Sequence, residues 1–298
     1  MDKNEEFGTL AVFTALAPLA VGGLIGLLVA PSIRRQPGID WAAAVVFATG
    51  LLALAASLFH LGRPWRAPLA MLRVTTSWLS REVILFGLFL FTLGCYAILP
   101  VMNLGTIISY LVGSAAAIIG LAGTIATGET YRLRARPSWD QWLTIASFPL
   151  GALSAGTLFG FFVARQFGGH SPIAGYARVG AAVLLVSALV VNWLRATRRR
   201  TGSAEGRLSR HLALGAYLWL LIVRVVAVIT ALVLIGMGGE AQFLAWIPAL
   251  LGEFADRFLF FKSVVPVTMR GRYIKDSATD AAPEALTSVI STGNENER

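Results

Sequence analysis

The sequence predicts an all-α membrane protein, an eight-helix transmembrane bundle, and two observations carry that prediction. First, 56% of its residues are hydrophobic and only 14% are charged, against about 45–50% and about 25% in soluble domains. Second, the apolar residues gather in eight runs, each near the roughly 20 residues a helix needs to cross the hydrocarbon core. An ordinary soluble globule and a disordered chain are therefore excluded. The single cysteine, Cys95, excludes a disulfide framework, and a thiolate-held cluster or structural zinc within the chain.

The first run, about 9–30, follows the acidic start MDKNEEFG. With no basic stretch and no small-residue cleavage site before it, this run is expected to be a retained span. The second, about 41–60, ends on His60, and the third, about 82–100, opens on Glu82. The fourth and fifth fall at about 105–127 and 142–164, the sixth and seventh at about 176–195 and 212–235, and the eighth at about 243–264. Pro18, Pro149 and Pro248 lie inside spans, where neighbouring helices re-satisfy the freed backbone groups. Residues 1–265 thus read as one eight-span domain, and 266–298 as a polar, largely disordered tail.

Charge orients the bundle. Of 25 lysines and arginines, Arg34, Arg35, Arg165 and Arg178 fall on one face, and Arg224, Arg257 and Lys262 fall within spans. The other 18 share the face that holds both termini. Basic residues in short loops stay in the cytoplasm, so both termini are expected inside a bacterial inner membrane. Lys3 before the first span and Arg34–Arg35 after it pull weakly the other way, and the global asymmetry outweighs them. This topology accounts for the basic charge without nucleic acid.

The stretch joining the second and third spans gathers the most chemistry. It reads His60-Leu-Gly-Arg63-Pro-Trp65-Arg66, then Arg73, then Ser77-Trp78-Leu-Ser80-Arg81-Glu82. A histidine, arginines, hydroxyls, indoles and a carboxylate meet at one membrane interface. Glu82 enters an apolar span, where ionisable groups are costly unless paired or functional. Histidine titrates near neutral pH and can donate a hydrogen bond to a quinone oxygen. Interfacial anchoring also fits, with Trp65 and Trp78 as belt aromatics, arginines on lipid phosphates, and Glu82 at a helix N-terminus.

Deeper in, Arg224 sits about 18 Å from the basic face and Glu253 about 15 Å from the opposite one, at about 1.5 Å per residue. Arg224, Glu253, Asp256 and Arg257 read as a neutral buried polar network stitching the last two spans, with a proton path as the alternative. The basic loop Arg198–Arg200 with Arg207 and Arg210 fits anionic membrane lipids or an acidic partner. Glu129, Tyr131 and Arg132 close the fourth span on the same face and read as partner surface, with pocket lining as the alternative. A b-type haem is not expected, because nothing places His60 and His211 in register and His170 lies on the other face.

The motif His60 to Arg66, Arg73-Val74 and Ser80-Arg81-Glu82 resembles the signature of the membrane anchor subunits of the dimethyl sulfoxide reductase family. Tyr131 to Trp139, Pro149-Leu-Gly151, and Gly252-Glu253 to Phe260 continue the resemblance along the chain. It implies an anchor with no catalytic metal of its own. It further implies iron–sulfur clusters on a partner electron-transfer subunit and molybdopterin on a catalytic subunit beyond it. The resemblance also implies a quinone, menaquinone or ubiquinone, bound near the partner. Its site residues carry over onto His60 as hydrogen-bond and proton partner, Arg66 as the group stabilising the reduced anionic form, and Glu82 as proton relay. Arg63, Trp65, Arg73, Ser77, Trp78 and Ser80 would line the pocket.

The arginine asymmetry turns that pocket towards the cytoplasm. Such an arrangement resembles the anchor of cytoplasm-facing sulfite:quinone oxidoreductases, so sulfite oxidation is the expected activity of the complex. A quinol-oxidising dimethyl sulfoxide or related reductase is the alternative. A passive anchor and a secondary transporter built around the midplane charges also remain open.

Overall fold

The computed structural model describes residues 3–30, 40–59, 64–168, 175–197 and 204–267, with side chains 3–7, 64–68 and 168 left out. Two units divide the chain, Met1–Val265 and Pro266–Arg298. Nearly all of the second lies outside the described residues, as does the expectation that it is disordered.

The first unit is built from helices α1 (Lys3–Val29), α2 (Trp41–Phe59), α3 (Trp78–Ile98), α4 (Thr106–Tyr131), α5 (Trp142–Gly151), α6 (Thr157–Gly168), α7 (Gly175–Thr197), α8 (Ala204–Leu214), α9 (Leu218–Met237) and α10 (Trp246–Lys262). No strand occurs among the described residues. Seven stretches are long and apolar enough to cross a membrane, with α5 and α6 counting as one. The eighth expected span falls on α10, which is not among the seven: it has 17 residues and carries Glu253, Asp256, Arg257 and Lys262. Its length and charge set it apart from the other seven.

The seventh span begins later than the sequence predicts. The expected start at 212 lies inside α8, whose chain turns at Gly215–Tyr217 before α9 starts at Leu218. The apolar run Leu212–Leu214 joins two helices that differ in kind. Helix α8 is basic, with Arg207, Arg210 and His211, whereas α9 is almost wholly apolar apart from Arg224.

Helices α1 and α5–α6 are the most deeply buried of the seven stretches. They approach through glycines: a Cβ added at Gly22 would come within 2.7 Å of Gly156 Cα, and one at Gly26 within 2.8 Å of Gly160 Cα. Two small-xxx-small faces thus pack backbone against backbone, the contact that replaces the hydrophobic drive in a membrane. Between α5 and α6 the helix widens into one π turn over Ala152–Gly156. Pro149 lies just upstream and has no N–H for the carbonyl four residues back.

Helix α4 packs closely on α3, and the buried Gly120 and Gly123 face Phe89 and Phe86 of that helix. The same close approach sets the last turns of α4 beside the start of α3.

Candidate functional site

The N-terminus of α3 is fixed by its own side chains. Ser77 caps the helix, its Oγ accepting from Ser80 N at 3.4 Å, a usual cap for exposed first-turn N–H groups. Ser80 Oγ in turn donates to the Ala70 carbonyl, tying the cap to the 3₁₀ segment Pro64–Arg73. Arg81 bends back and donates to the carbonyls of Val74 at 2.9 Å and Thr75 at 2.8 Å. Its guanidinium lies 4.3 Å from the centre of the Trp78 ring, a favourable cation–π placement.

These contacts aim the next residue, Glu82, into the bundle, where it is 4% exposed. The Thr127 hydroxyl of α4 donates to Glu82 Oε1 at 2.8 Å. Thr130, nearly one turn further along α4, places its hydroxyl next to the same carboxylate. Among the described side chains, then, hydroxyls are the groups holding this carboxylate. Arg73 and Trp78 of the expected lining are exposed, and Ser77 is half-buried. Trp65 and Arg66 belong to the 3₁₀ segment by their backbone, and their side chains lie outside the described residues, as do His60 and Arg63 altogether.

Tyr131 closes α4 below Glu82, in a cluster of rings. It stacks on Phe148 at 5.8 Å and meets Trp139, Phe260 and Phe261 edge-on at 5.4–5.5 Å. Aromatic packing draws it inward, so that it is half-buried rather than wholly on the surface. Trp139 Nε1 donates to the Phe260 carbonyl at 2.9 Å, so the loop after α4 is pinned to α10. The Arg257 guanidinium lies over Phe148, 4.1 Å from the ring centre.

Arg257 opens the second polar cluster. The structure brings Arg224 Nη2 to Glu253 Oε1 at 2.7 Å and Arg257 Nη2 to Glu253 Oε2 at 3.5 Å. Arg257 also donates to the Ser147 carbonyl of α5 at 3.1 Å. Asp256 takes both its bonds from Arg195 of α7, at 2.8 Å each. The charge count puts Arg195 on the basic face and makes the network neutral across two spans. Instead Arg195 is buried, and three arginines face two carboxylates across α5, α7, α9 and α10. In the sequence Arg195 adjoins the basic loop, so a topology count assigns it there; only tertiary packing shows it turned inward.

Comparison with known proteins adds to this geometry. The chain matches the family described as DMSO reductase anchor subunit (DmsC) over residues 4–261. It belongs to that family. The C subunit of sulfite dehydrogenase from Allochromatium vinosum is 30% identical over 150 residues, 46% of this chain and 45% of that protein. The C subunit of anaerobic dimethyl sulfoxide reductase from Haemophilus influenzae is 28% identical over 156 residues, 49% of this chain and 54% of that protein. The chain spans about half the length of the curated relatives it matches. As a DmsC-family chain it is an anchor subunit with multiple apolar helices. Sequence reasoning missed Thr127, because a threonine within an apolar helix ordinarily bonds its own preceding turn.

Proposed function

We propose that this chain is the quinone-reactive anchor of a molybdopterin iron–sulfur oxidoreductase. In this reading it spans the membrane eight times, α10 included, with both termini in the cytoplasm. The observation that carries the reading is Glu82, a buried carboxylate held by hydroxyls at the end of the bundle where the Pro64–Arg73 segment joins. An intramembrane ionisable group is a functional group by default. The donor set suits a quinone, which needs an apolar pocket with a few convergent polar groups.

When bound, the quinone supplies the electron-carrying chemistry, each electron it takes up being balanced by a proton. His60 donates a hydrogen bond to one quinone oxygen, and Arg66 orients the head group and favours its reduced form. Glu82 takes up or delivers the proton, with the Ser77–Ser80 cap holding its helix in place. The iron–sulfur subunit docks on the basic face, close enough for electrons to pass, and the molybdopterin subunit lies beyond it.

Sulfite oxidation on the cytoplasmic side is the reading favoured for the whole complex. The basic-residue asymmetry and the similarity to the sulfite dehydrogenase protein support it. The similarity to the dimethyl sulfoxide reductase protein supports a second reading, a complex that oxidises quinol.

Glu82→Gln tests the site in the complex purified with its partner subunits. Reduction of the partner's clusters by an added naphthoquinol should fall about a hundredfold, the low end for general acid–base groups, while assembly persists. An unchanged rate overturns the relay role. Assaying the parent complex with sulfite and with dimethyl sulfoxide decides between the two substrates.

A further inference from the structure

Thr127 makes more contacts than one hydroxyl proton can serve as donor. Its Oγ1 lies 2.8 Å from Glu82 Oε1 and 3.1 Å from the Gly123 carbonyl. Both oxygens are acceptors when Glu82 is ionised, yet a threonine hydroxyl has a single hydrogen and two lone pairs. The residue is buried, as is Glu82.

We propose that Thr127 is a positioning residue whose hydroxyl rotates to match the charge on Glu82. With Glu82 ionised, the Thr127 hydrogen points at Oε1, a charge-assisted bond of the stronger kind. With Glu82 protonated, the carboxyl O–H donates to Thr127 Oγ1, and the Thr127 hydrogen turns to the Gly123 carbonyl. Thr127 keeps its own proton throughout, so it carries nothing; the transferred proton resides on Glu82. Each of these polar atoms has a partner in both states, which removes the cost of orphaning a buried group in either one. A buried acid so arranged can pass between its two forms without backbone rearrangement.

Thr127 makes the 2.8 Å bond to Glu82 Oε1 among several polar groups that surround the carboxylate. On α3, Arg81 is turned to the Val74 and Thr75 carbonyls. On α4, Tyr131 is near enough to Glu82 and to Arg257 of α10 to feel both charges. Thr130 donates to the Ala126 carbonyl at 2.9 Å and also sets its hydroxyl next to the Glu82 carboxylate. The described residues of α2 include no titratable side chain. Arg73 of the 3₁₀ segment is exposed, and the side chains of Arg66, Lys3, Glu5 and Glu6 lie outside the described residues.

The inference rests on Glu82 as the proton carrier of the proposed site, and the test separates the two. Thr127→Val, Thr127→Ala and Thr127→Ser are made in the full complex, with Glu82→Gln to assign the Glu82 carboxyl band by infrared difference spectroscopy. Expected are a displaced Glu82 band in the Val and Ala variants, its return in the Ser variant, and an altered pH profile with about tenfold slower naphthoquinol-driven reduction. A Glu82 band and pH profile unmoved in both Val and Ala variants overturn the inference. If the band moves but Glu82→Gln leaves quinol-driven reduction intact, the hydroxyl role stands and the quinone reading falls.

Discussion

Arg195 and Asp256 show what a single residue costs in this interior. Both are buried, and Arg195 Nη2 reaches both Asp256 oxygens at 2.8 Å. Removing one partner leaves the other charge stranded, at a cost of about 3–5 kcal/mol, while replacing both with apolar groups costs far less. Asp256→Leu should therefore lower the unfolding free energy in mixed micelles by about that amount, and Arg195→Met combined with it should restore most of the loss. A double variant as weak as the single would show that the pair is not the unit of stability. This pairing cannot be read from residue order, because Arg195 adjoins a run of loop arginines and its inward turn depends on α10. The Arg224–Glu253 approach is legible, since counting rise per residue from opposite faces puts the two at similar depth.

At the scale of elements, the packing of α1 on α5–α6 rests on backbone contact rather than side-chain bulk. Gly156 has Gly22 Cα and the Pro18 carbonyl within 3.0 Å of where a Cβ would stand. Neither backbone can yield, so Gly156→Val should abolish assembly or cost at least about 3 kcal/mol, the upper range for overpacking. Gly180→Val is the control, because Gly180 has open space around it on α7. Membrane abundance and thermal stability in detergent should drop for the first and hold for the second; equal behaviour would refute the close-packed seam. Apolar run length places most helices within a few residues, because hydrocarbon thickness alone sets it. The π turn after Pro149 and the break at Gly215–Tyr217 are not legible, since both interrupt stretches that remain apolar in sequence. Likewise Glu82 stands out as a charge in an apolar run, whereas Thr127 needs the α3–α4 packing to acquire meaning.

Across the whole molecule, α10 decides the count of crossings, and the orientation of the bundle decides which way the proposed site faces. Seven stretches have the length and hydropathy to span; α10 brings two carboxylates and an arginine into the same layer. Alone, such a helix is a poor span, because each charge at the bilayer centre costs about 2.5–3.5 kcal/mol on insertion scales. Its carboxylates, however, are met by Arg224 of α9 and Arg195 of α7, and Trp139 holds its end through the Phe260 carbonyl. Neighbouring helices thus supply the neutralisation that its own sequence lacks. If α10 crosses, a reporter active only outside the cytoplasm should work when fused after Gly238 and stay silent when fused after Val265. Equal readings at the two positions would leave seven crossings and place the chain ends on opposite sides. The reverse pattern would keep eight but turn the basic face outward, and with it the Glu82 end of the bundle, which would remove the case for sulfite oxidation in the cytoplasm.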